Sequence, residues 1–122
     1  MPPGDRRAAL GRGGEEAVAR WYVAAGYQVL ERNWRCREGE LDLVVARGST
    51  VVFCEVKTRS GDAFGIPAEA VTVSKQRRLR HLAVRWLAGR PGPGHRELRF
   101  DVASVRPGRD GRATVEVVEA AF

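Results

Sequence analysis

Two runs of alternating residues, separated by a two-residue turn, constrain this chain more than any other feature. The runs are ELDLVVA at 40–46 and TVVFCEVKTR at 50–59, and Gly48-Ser49 lies between them. Apolar residues at every second position are typical of strands, and a short loop containing glycine favours a tight hairpin. The sequence therefore predicts an antiparallel pair of strands near the middle of the chain.

The segments around this hairpin predict helices before and after it and further strands at the C-terminal end. The predicted elements are a helix at about 13–25 ended by Gly26, strands at 27–34, 40–46 and 50–59, a helix after a cap at Thr72 or Ser74, and strands at 96–105 and 113–119. Residues 1–12 are expected to be loose or only partly helical, and 60–71 to form a loop. This order predicts a single α/β domain over 1–122, with a central mixed five-stranded sheet flanked by helices.

The composition is that of a basic, water-soluble protein. The 122 residues include 21 Lys and Arg against 15 Asp and Glu, which gives a formal net charge of +6 and a sequence pI near 10.3. This balance favours a polyanionic partner, although an Arg-rich solvated surface explains it equally well. No segment resembles a signal peptide or a membrane span, so we expect a cytoplasmic protein without a membrane partner.

Cysteine and histidine usage argues against a disulfide framework and a zinc site. Cys36 and Cys54 form no Cys-x-x-Cys pair, and Cys54 is expected to be a small buried thiol in a reducing compartment. His81 and His95 are too few and too far apart to bind zinc. Asp101, inside a predicted strand, is expected to be a structural residue paired with an arginine.

Charged residues meet at the end of the predicted hairpin that lies away from its turn. With a two-residue loop, Asp42 lies opposite Glu55. Glu40 then lies opposite Lys57, on the face that buries Phe53 nearer the turn. Two carboxylates opposite each other beside a core face repel and need a compensating cation. Lys57 supplies one charge, and Mg²⁺, which prefers oxygen ligands, would supply the rest.

A simpler explanation is that Lys57 only forms ion pairs with Glu55 and Glu40 across an exposed strand face. Asp42 decides between the two explanations, because a one-residue slip of the hairpin would turn its side chain to the other face. Glu15 of the first predicted helix leans towards the sheet and is a further candidate ligand. Alternatively, Glu15 only favours the positive end of the helix dipole.

Asp42 and the run Glu55-Val56-Lys57 resemble the (E/D)…(D/E)-x-K core of the PD-(D/E)xK nuclease superfamily. More closely, the chain resembles the YraN family of predicted endonucleases, which is itself similar to the archaeal Holliday-junction resolvases. The resemblance lies in GEEAVARWYVAAGYQVLERNWR (14–35), GELDLVVA (39–46), VFCEVKTR (52–59), FGIPAEAV (64–71) and Lys75. It covers the chain from about Leu10 to Val105.

This resemblance implies a restriction-endonuclease-like fold and a metal-dependent endonuclease that hydrolyses phosphodiester bonds in DNA. Branched or otherwise structured DNA is the expected substrate. Asp42, Glu55 and Glu15 would be catalytic residues that hold Mg²⁺ or Mn²⁺. Lys57 would orient or deprotonate the attacking water. Glu40 would act indirectly by holding Lys57.

Basic residues of the second predicted helix and the last residue of the third predicted strand are candidates for phosphate contacts. These candidates are Arg59, Lys75, Arg77, Arg78 and Arg80. They would give salt-sensitive binding without sequence preference, unless the helix only carries a solvated charged face. Trp21 and Trp86 fit apolar stripes and are expected in the core, whereas Trp34 lies beside arginines and could stack on a base.

A rival function is a non-catalytic nucleic-acid-binding module on the same fold, acting within a DNA repair or processing assembly. Under the endonuclease hypothesis, one active site per chain means that cutting both strands symmetrically would need a homodimer. The choice between DNA and RNA and between branched and linear substrates stays open at the level of sequence.

Overall fold

A five-stranded mixed sheet with a helix on each face forms the body of the protein, as the sequence predicted. The computed structural model describes residues 3–59, 71–90, 97–108, 110 and 112–122, with side chains described from Gly13 onward. The elements are α1 (Pro3–Ala24), β1 (Gln28–Cys36), β2 (Gly39–Arg47), β3 (Thr50–Thr58), α2 (Val73–Ala88), β4 (Glu97–Pro107) and β5 (Ala113–Val118). The α/β class and the order of the elements are the predicted ones.

The strands lie in the sheet in the order in which they occur in the chain. Neighbouring strands are antiparallel except β3 and β4, which are parallel. A parallel pair cannot be joined by a tight turn, and the connection between these two strands contains α2. The C-terminal ends of β3 and β4 therefore point in the same direction, and α2 crosses one face of the sheet between them.

The hairpin between β2 and β3 has the predicted loop. Val44 pairs with Phe53, and Arg47 pairs with Thr50, so that Gly48-Ser49 is the entire connection. Gly48 has a φ of 59°, a left-handed conformation that glycine adopts without steric cost. The register near the turn is thereby confirmed.

One apolar core fills the space between the sheet and α2. The buried residues of this α2-face core are Leu41, Val44, Ala46, Val51, Phe53, Val71, Leu79, Leu82, Ala83, Trp86, Phe100 and Val102. α2 supplies four of them, Leu79, Leu82, Ala83 and Trp86, and Trp86 is only 3% exposed. The prediction that Trp86 is a core residue is confirmed.

A second apolar core lies between α1 and the opposite face of the sheet. The buried residues of this α1-face core are Val18, Ala19, Tyr22, Tyr27, Leu43, Val45, Val52, Cys54, Ala103 and Val105. Trp21 packs against it from the side, and Cys54 is a buried free thiol, as predicted. Because β3 is covered on both faces, its apolar run is nearly continuous.

Asp101 of β4 ties α1, the sheet and the C-terminal residues together. It is fully buried, and its carboxylate accepts hydrogen bonds from Arg99 Nε at 2.9 Å, the Tyr22 hydroxyl at 2.6 Å and the Ala120 N–H at 3.0 Å. Burial raises the pKa of Tyr22, so its hydroxyl remains a donor. The predicted pairing of Asp101 with an arginine is confirmed.

α1 begins at Pro3, earlier than the predicted start at about Gly13. Local propensity opposes a helix through several glycines, since each costs roughly 1 kcal/mol relative to alanine. Gly14 has a packing reason to be there: a Cβ atom at this position would lie 2.3 Å from the Thr58 hydroxyl oxygen. The glycine that weakens the helix locally thus lets α1 approach β3.

α2 begins where a cap was predicted. Thr72 is the N-cap residue, and its hydroxyl accepts a hydrogen bond from the Lys75 N–H at 3.2 Å. The predicted loop at 60–71 lies outside the described residues, apart from Val71. Among the described residues, no helix is long and apolar enough to cross a membrane.

Candidate functional site

Asp42 lies at a break in the alternation of β2. Leu41 and Val44 both pack in the α2-face core, whereas Leu43 packs in the α1-face core. The two-residue alternation therefore shifts by one position between Leu41 and Leu43. The β2–β3 ladder accordingly ends at the pair Leu43–Cys54.

The predicted cross-strand pairs Asp42–Glu55 and Glu40–Lys57 are not part of that ladder, so the predicted register is wrong beyond the pair Leu43–Cys54. The physical reason is the irregularity in β2, which displaces Asp42 from the position that strict alternation would give it. Its carboxylate instead accepts a hydrogen bond from the Val56 N–H of β3, with an N to Oδ2 distance of 2.9 Å.

Three carboxylates converge at this break, and we call them the carboxylate cluster. They belong to Glu15 of α1 and to Glu40 and Asp42 of β2, and one oxygen atom of each lies within 4.8 Å of the other two. All three residues are half-buried. Glu15, a candidate with two open interpretations from the sequence, is thus placed beside Asp42. Glu40 joins the same cluster.

Burial and mutual repulsion raise the pKa of two members of the carboxylate cluster. For Asp42, burial and then the charge of Glu55 raise the pKa to about 7, against the hydrogen bond from Val56, which lowers it. Burial also raises the pKa of Glu15, although a hydrogen bond from Asn33 lowers it in part. A site that disfavours its own negative charges gains from a bound cation.

Glu55 is bound by two lysines at the end of β3. Lys75 of α2 places its Nζ atom 2.7 Å from Glu55 Oε1, and Lys57 of β3 places its Nζ atom 3.5 Å from the same oxygen. The side chain of Glu55 is only 9% exposed, so this pairing neutralises a nearly buried charge. Lys75, predicted as a phosphate contact, therefore lies inside the site.

The two lysines respond differently to sharing one carboxylate. The contact with Lys75, followed by partial burial, lowers the pKa of Lys57. Partial burial works against the charge of Lys75, but its contacts with Glu55 and Lys57 and the charges of Glu55 and Asp42 together raise the pKa of Lys75. Lys75 is the closer of the two partners of Glu55, at 2.7 Å against 3.5 Å for Lys57.

Glu40 has a different ion pair from the predicted one. Among the described residues, its carboxylate pairs with Arg35 Nε at 3.6 Å and not with Lys57. Glu40 lies beside Asp42 in the carboxylate cluster, and the two-residue spacing that put both side chains on one predicted face was the signal for this. Its predicted role of holding Lys57 therefore has no counterpart in the described contacts.

Asp42 lines cavities on both faces of the sheet. A cavity of about 180 Å³ on the α1 side is lined by Glu15, Glu16, Arg32, Asn33, Asp42 and Leu43. A cavity of about 200 Å³ on the α2 side is lined by Gly39, Glu40, Asp42, Glu55, Lys75, Arg78, Leu79 and Leu82. Asp42 therefore borders open space on both sides of β2.

The remaining predicted basic residues differ in their surroundings. Arg78 lines the cavity on the α2 side, and Arg77 is exposed on α2. The guanidinium of Arg80 lies 4.8 Å from the centre of the Phe100 ring, so this residue also packs on the core. The buried Nε atom of Arg59 has no hydrogen-bond partner among the described residues.

Sequence reasoning missed Asn33 as a residue of the site. It has a φ of 49°, lines the cavity on the α1 side and contributes a hydrogen bond to Glu15. Asparagine adopts positive φ more readily than most residues, so an asparagine inside an otherwise regular strand was the available signal. Asn33 lines the same cavity as Asp42, whereas the register shift of β1 lies farther along the strand, between Val29 and Glu31.

Fold and site together define a class: a small α/β protein with a carboxylate cluster and a lysine pair at one end of the central strand. The chain belongs to the Uncharacterised protein family UPF0102, the YraN-like family that the sequence resembles. The model of this family matches residues 14–105, a range that contains the carboxylate cluster and both lysines.

Curated relatives from several bacteria match over nearly their whole length. A UPF0102 protein of Frankia casuarinae is 54% identical over 114 residues, which cover 93% of this chain and 96% of the relative. One from Beutenbergia cavernae is 56% identical over 108 residues, 88% of this chain and 91% of the relative. One from Nocardia farcinica is 49% identical over 119 residues, 98% of this chain and 92% of the relative.

Proposed function

We propose that the protein is a metal-dependent endonuclease that hydrolyses phosphodiester bonds in branched or otherwise structured DNA. The observation that carries this proposal is the convergence of three carboxylates within 4.8 Å of one another beside a glutamate bound by two lysines. An acidic cluster next to ammonium groups suits a reaction in which a divalent metal and a phosphate meet. The sequence resemblance to PD-(D/E)xK nucleases supports the same chemistry.

The carboxylate cluster has the donor set that Mg²⁺ or Mn²⁺ requires. Carboxylate oxygens are hard ligands, which both ions prefer over nitrogen and sulfur. The raised pKa of Asp42, about 7, indicates that the protein alone leaves the cluster short of positive charge. Glu15, Glu40 and Asp42 are the residues that would hold the ion. Glu55 would join them only if its ion pair with Lys75 opened.

A bound divalent cation would polarise a phosphoryl oxygen and make a bound water more acidic. Lys57 is the residue that would orient the attacking water, because it lies beside Glu55 at the end of β3. Its lowered pKa also favours proton exchange with that water. Lys75 would keep one positive charge on Glu55 whichever form Lys57 takes.

Exposed arginines of α2 would bind phosphate groups next to the carboxylate cluster. Arg78 lines the same cavity as Asp42 and Glu55, and Arg77 is exposed nearby on the helix. Guanidinium groups can bind phosphate oxygens through two parallel hydrogen bonds. Such contacts position the DNA without reading its sequence.

Cleavage of a substrate panel tests this proposal. Linear duplex, single-stranded, flap and four-way-junction DNA are incubated with the protein and Mg²⁺ or Mn²⁺, and the rates are compared with those of Lys57→Ala. We expect the flap or junction to be cut fastest and the variant to be slower by about 100-fold or more, as for loss of a group that transfers or orients a proton.

Two results would overturn parts of the proposal. A Lys57→Ala protein that cuts at the wild-type rate would remove Lys57 from the mechanism. Binding that persists in EDTA, with no cleavage of any DNA or RNA form under either metal, would favour the rival function of a non-catalytic nucleic-acid-binding module.

A further inference from the structure

A larger cavity, of about 530 Å³, lies at the C-terminal end of α2. It is lined by Glu31, Trp34, Arg85, Trp86, Gly89 and Arg90. The first two residues belong to β1, and the others lie in α2 or directly after it. Cavities that bind small ligands usually have volumes of roughly 300–1,000 Å³. None of the lining residues belongs to the carboxylate cluster.

The cavity combines an indole surface with guanidinium groups. Trp86 is buried, and the guanidinium of Arg90 lies 4.4 Å from the centre of its ring. Trp34 is only partly buried against the α2-face core, so it is the indole whose surface borders the cavity. Aromatic and guanidinium planes are the groups on which unpaired bases stack in nucleic-acid-binding proteins.

A carboxylate is fixed in the wall of the same cavity. Glu31 Oε1 accepts a hydrogen bond from Trp86 Nε1 at 3.2 Å and one from Arg90 at 2.6 Å. Burial works against the charge of Glu31, but these two bonds hold its pKa below the usual range. A fixed, charged acceptor pairs with an amino group such as that of cytosine, whereas thymine has no amino group.

A line of basic residues joins this cavity to the carboxylate cluster. Lys75, Arg78 and Arg85 follow one another at helical spacing on the side of α2 that faces β1 and β2. From Lys75 to Arg85 the helix rises about 15 Å. A nucleic-acid strand with a rise of about 3.4 Å per nucleotide would span this distance in roughly four to five nucleotides.

We propose that the cavity between β1 and α2 binds an unpaired nucleobase that carries an amino group, about four to five nucleotides from the phosphate at the carboxylate cluster. Trp34 stacks on the base, and Glu31 accepts a hydrogen bond from its amino group. Arg85, whose half-exposed guanidinium also pairs with Glu38, would contact a neighbouring phosphate with the N–H groups that this ion pair leaves free. The inference rests on the proposed function for the choice of nucleic acid as ligand. It narrows the substrate class to DNA with unpaired bases near the cut.

Fluorescence anisotropy with labelled oligo(dC), oligo(dT) and a blunt duplex tests this site in EDTA, where metal-dependent cleavage does not interfere. The wild-type protein should bind oligo(dC) more tightly than oligo(dT). Trp34→Leu should weaken oligo(dC) binding about 5- to 150-fold, the range for loss of one base–aromatic stack, and leave duplex binding unchanged. Trp34→Phe should restore most of the affinity.

Two further variants sharpen this test. Glu31→Gln keeps the size of the side chain and should abolish the preference for oligo(dC) over oligo(dT). Trp21→Leu is the matched control, because Trp21 packs on the α1 side of the sheet and should not affect either oligonucleotide. If Trp34→Leu does not fold, Glu31→Gln decides the matter, and a retained preference for oligo(dC) overturns the proposal.

Failure of this inference is distinguishable from failure of the proposed function. A protein that cleaves DNA with Mn²⁺, but binds oligo(dC) equally well with or without the Trp34 ring, keeps the endonuclease and loses the base site. Binding of oligo(dC) that depends on Trp34, without cleavage of any substrate, keeps the base site and removes the endonuclease. An equal loss of oligo(dC) and duplex binding in folded Trp34→Leu also overturns the base site.

Discussion

The surroundings of Asp42 disfavour the charged form of its side chain. Burial and the charges of Glu55, Glu15 and Glu40 raise its pKa to about 7, while the Val56 N–H is the group that stabilises its charge. In an unfolded chain an aspartate titrates near pH 4. Between these two values the folded state holds a proton that the unfolded state has released, so the free energy of unfolding falls as the pH rises.

Asp42→Asn should therefore stabilise the metal-free protein at high pH. We expect the free energy of unfolding to rise by about 1–3 kcal/mol at pH 8 in EDTA and to change little at pH 4, where the folded wild-type carboxyl group is already protonated. Asparagine has no charge and keeps an oxygen that can accept the Val56 N–H. Urea denaturation at the two pH values measures the difference.

Glu16→Gln is the matched control for this prediction. Glu16 lies next to Glu15, but its hydrogen bond and ion pair with Arg32 lower its pKa, so removing its charge should not stabilise the protein at pH 8. A destabilised Asp42→Asn protein at pH 8, or an equal gain from Glu16→Gln, would contradict the account of the cluster.

At the scale of whole elements, alternation predicted the strands well and failed where three strands have to fit together. It predicted correctly that Val44, Phe53 and Glu55 share one face of the sheet, because side chains alternate between the two faces within a single regular strand. It misplaced Asp42, because strict alternation ignores the neighbouring strands: Asn33 of β1, with its positive φ, lines the same cavity as Asp42, and the ladder to β3 ends at the pair Leu43–Cys54. The two-residue spacing of Glu40 and Asp42 did place both on one face, and Glu15 of α1 completes the cluster from outside the sheet.

The long α1 poses a related problem, because of its two adjacent glycines only Gly14 has a packing reason to be there. Gly13 is exposed, and a Cβ atom there would meet nothing within 4 Å. Gly14 is buried, and its Cβ atom would clash with Thr58 and contact Val105. Two adjacent glycines in one helix thus have opposite requirements, which sequence alone does not reveal.

This difference predicts opposite effects on stability for the two adjacent substitutions. Gly13→Ala should raise the free energy of unfolding by up to about 1 kcal/mol, the difference in helix propensity. Gly14→Ala should lower it, because the methyl group displaces Thr58, and Thr58→Ala in the same chain should restore part of the loss. Thermal unfolding of the four proteins measures these effects, and a stabilising Gly14→Ala would contradict the packing of α1 on β3.

At the scale of the whole molecule, an acidic site lies within a basic protein. The net charge of +6 would attract DNA, while the carboxylate cluster would repel its phosphates unless a cation intervenes. Metal binding and DNA binding should therefore support each other. The same arrangement explains why the charge of the chain suggested a polyanionic partner without indicating where the partner would bind.

Metal binding should be visible without any substrate. Mn²⁺ at about 100 times its dissociation constant should stabilise the wild-type protein by about 2.7 kcal/mol at pH 8 and stabilise Asp42→Asn much less. Differential scanning fluorimetry across a Mn²⁺ titration measures this effect as a shift of Tm. Equal shifts in both proteins would mean that the ion binds elsewhere.

The most direct test of the proposed endonuclease activity compares the rates of DNA cleavage by two variants. In each variant a different aspartate is replaced by asparagine. Asp110→Asn removes an exposed carboxylate outside the carboxylate cluster, whereas Asp42→Asn removes one within it. With Mn²⁺ and a flap or four-way junction, Asp110→Asn should cut at the wild-type rate. Asp42→Asn should lose several kcal/mol of transition-state stabilisation, a decrease of at least about 100-fold. Cleavage by Asp42→Asn at the wild-type rate would contradict the assignment of catalysis to this site.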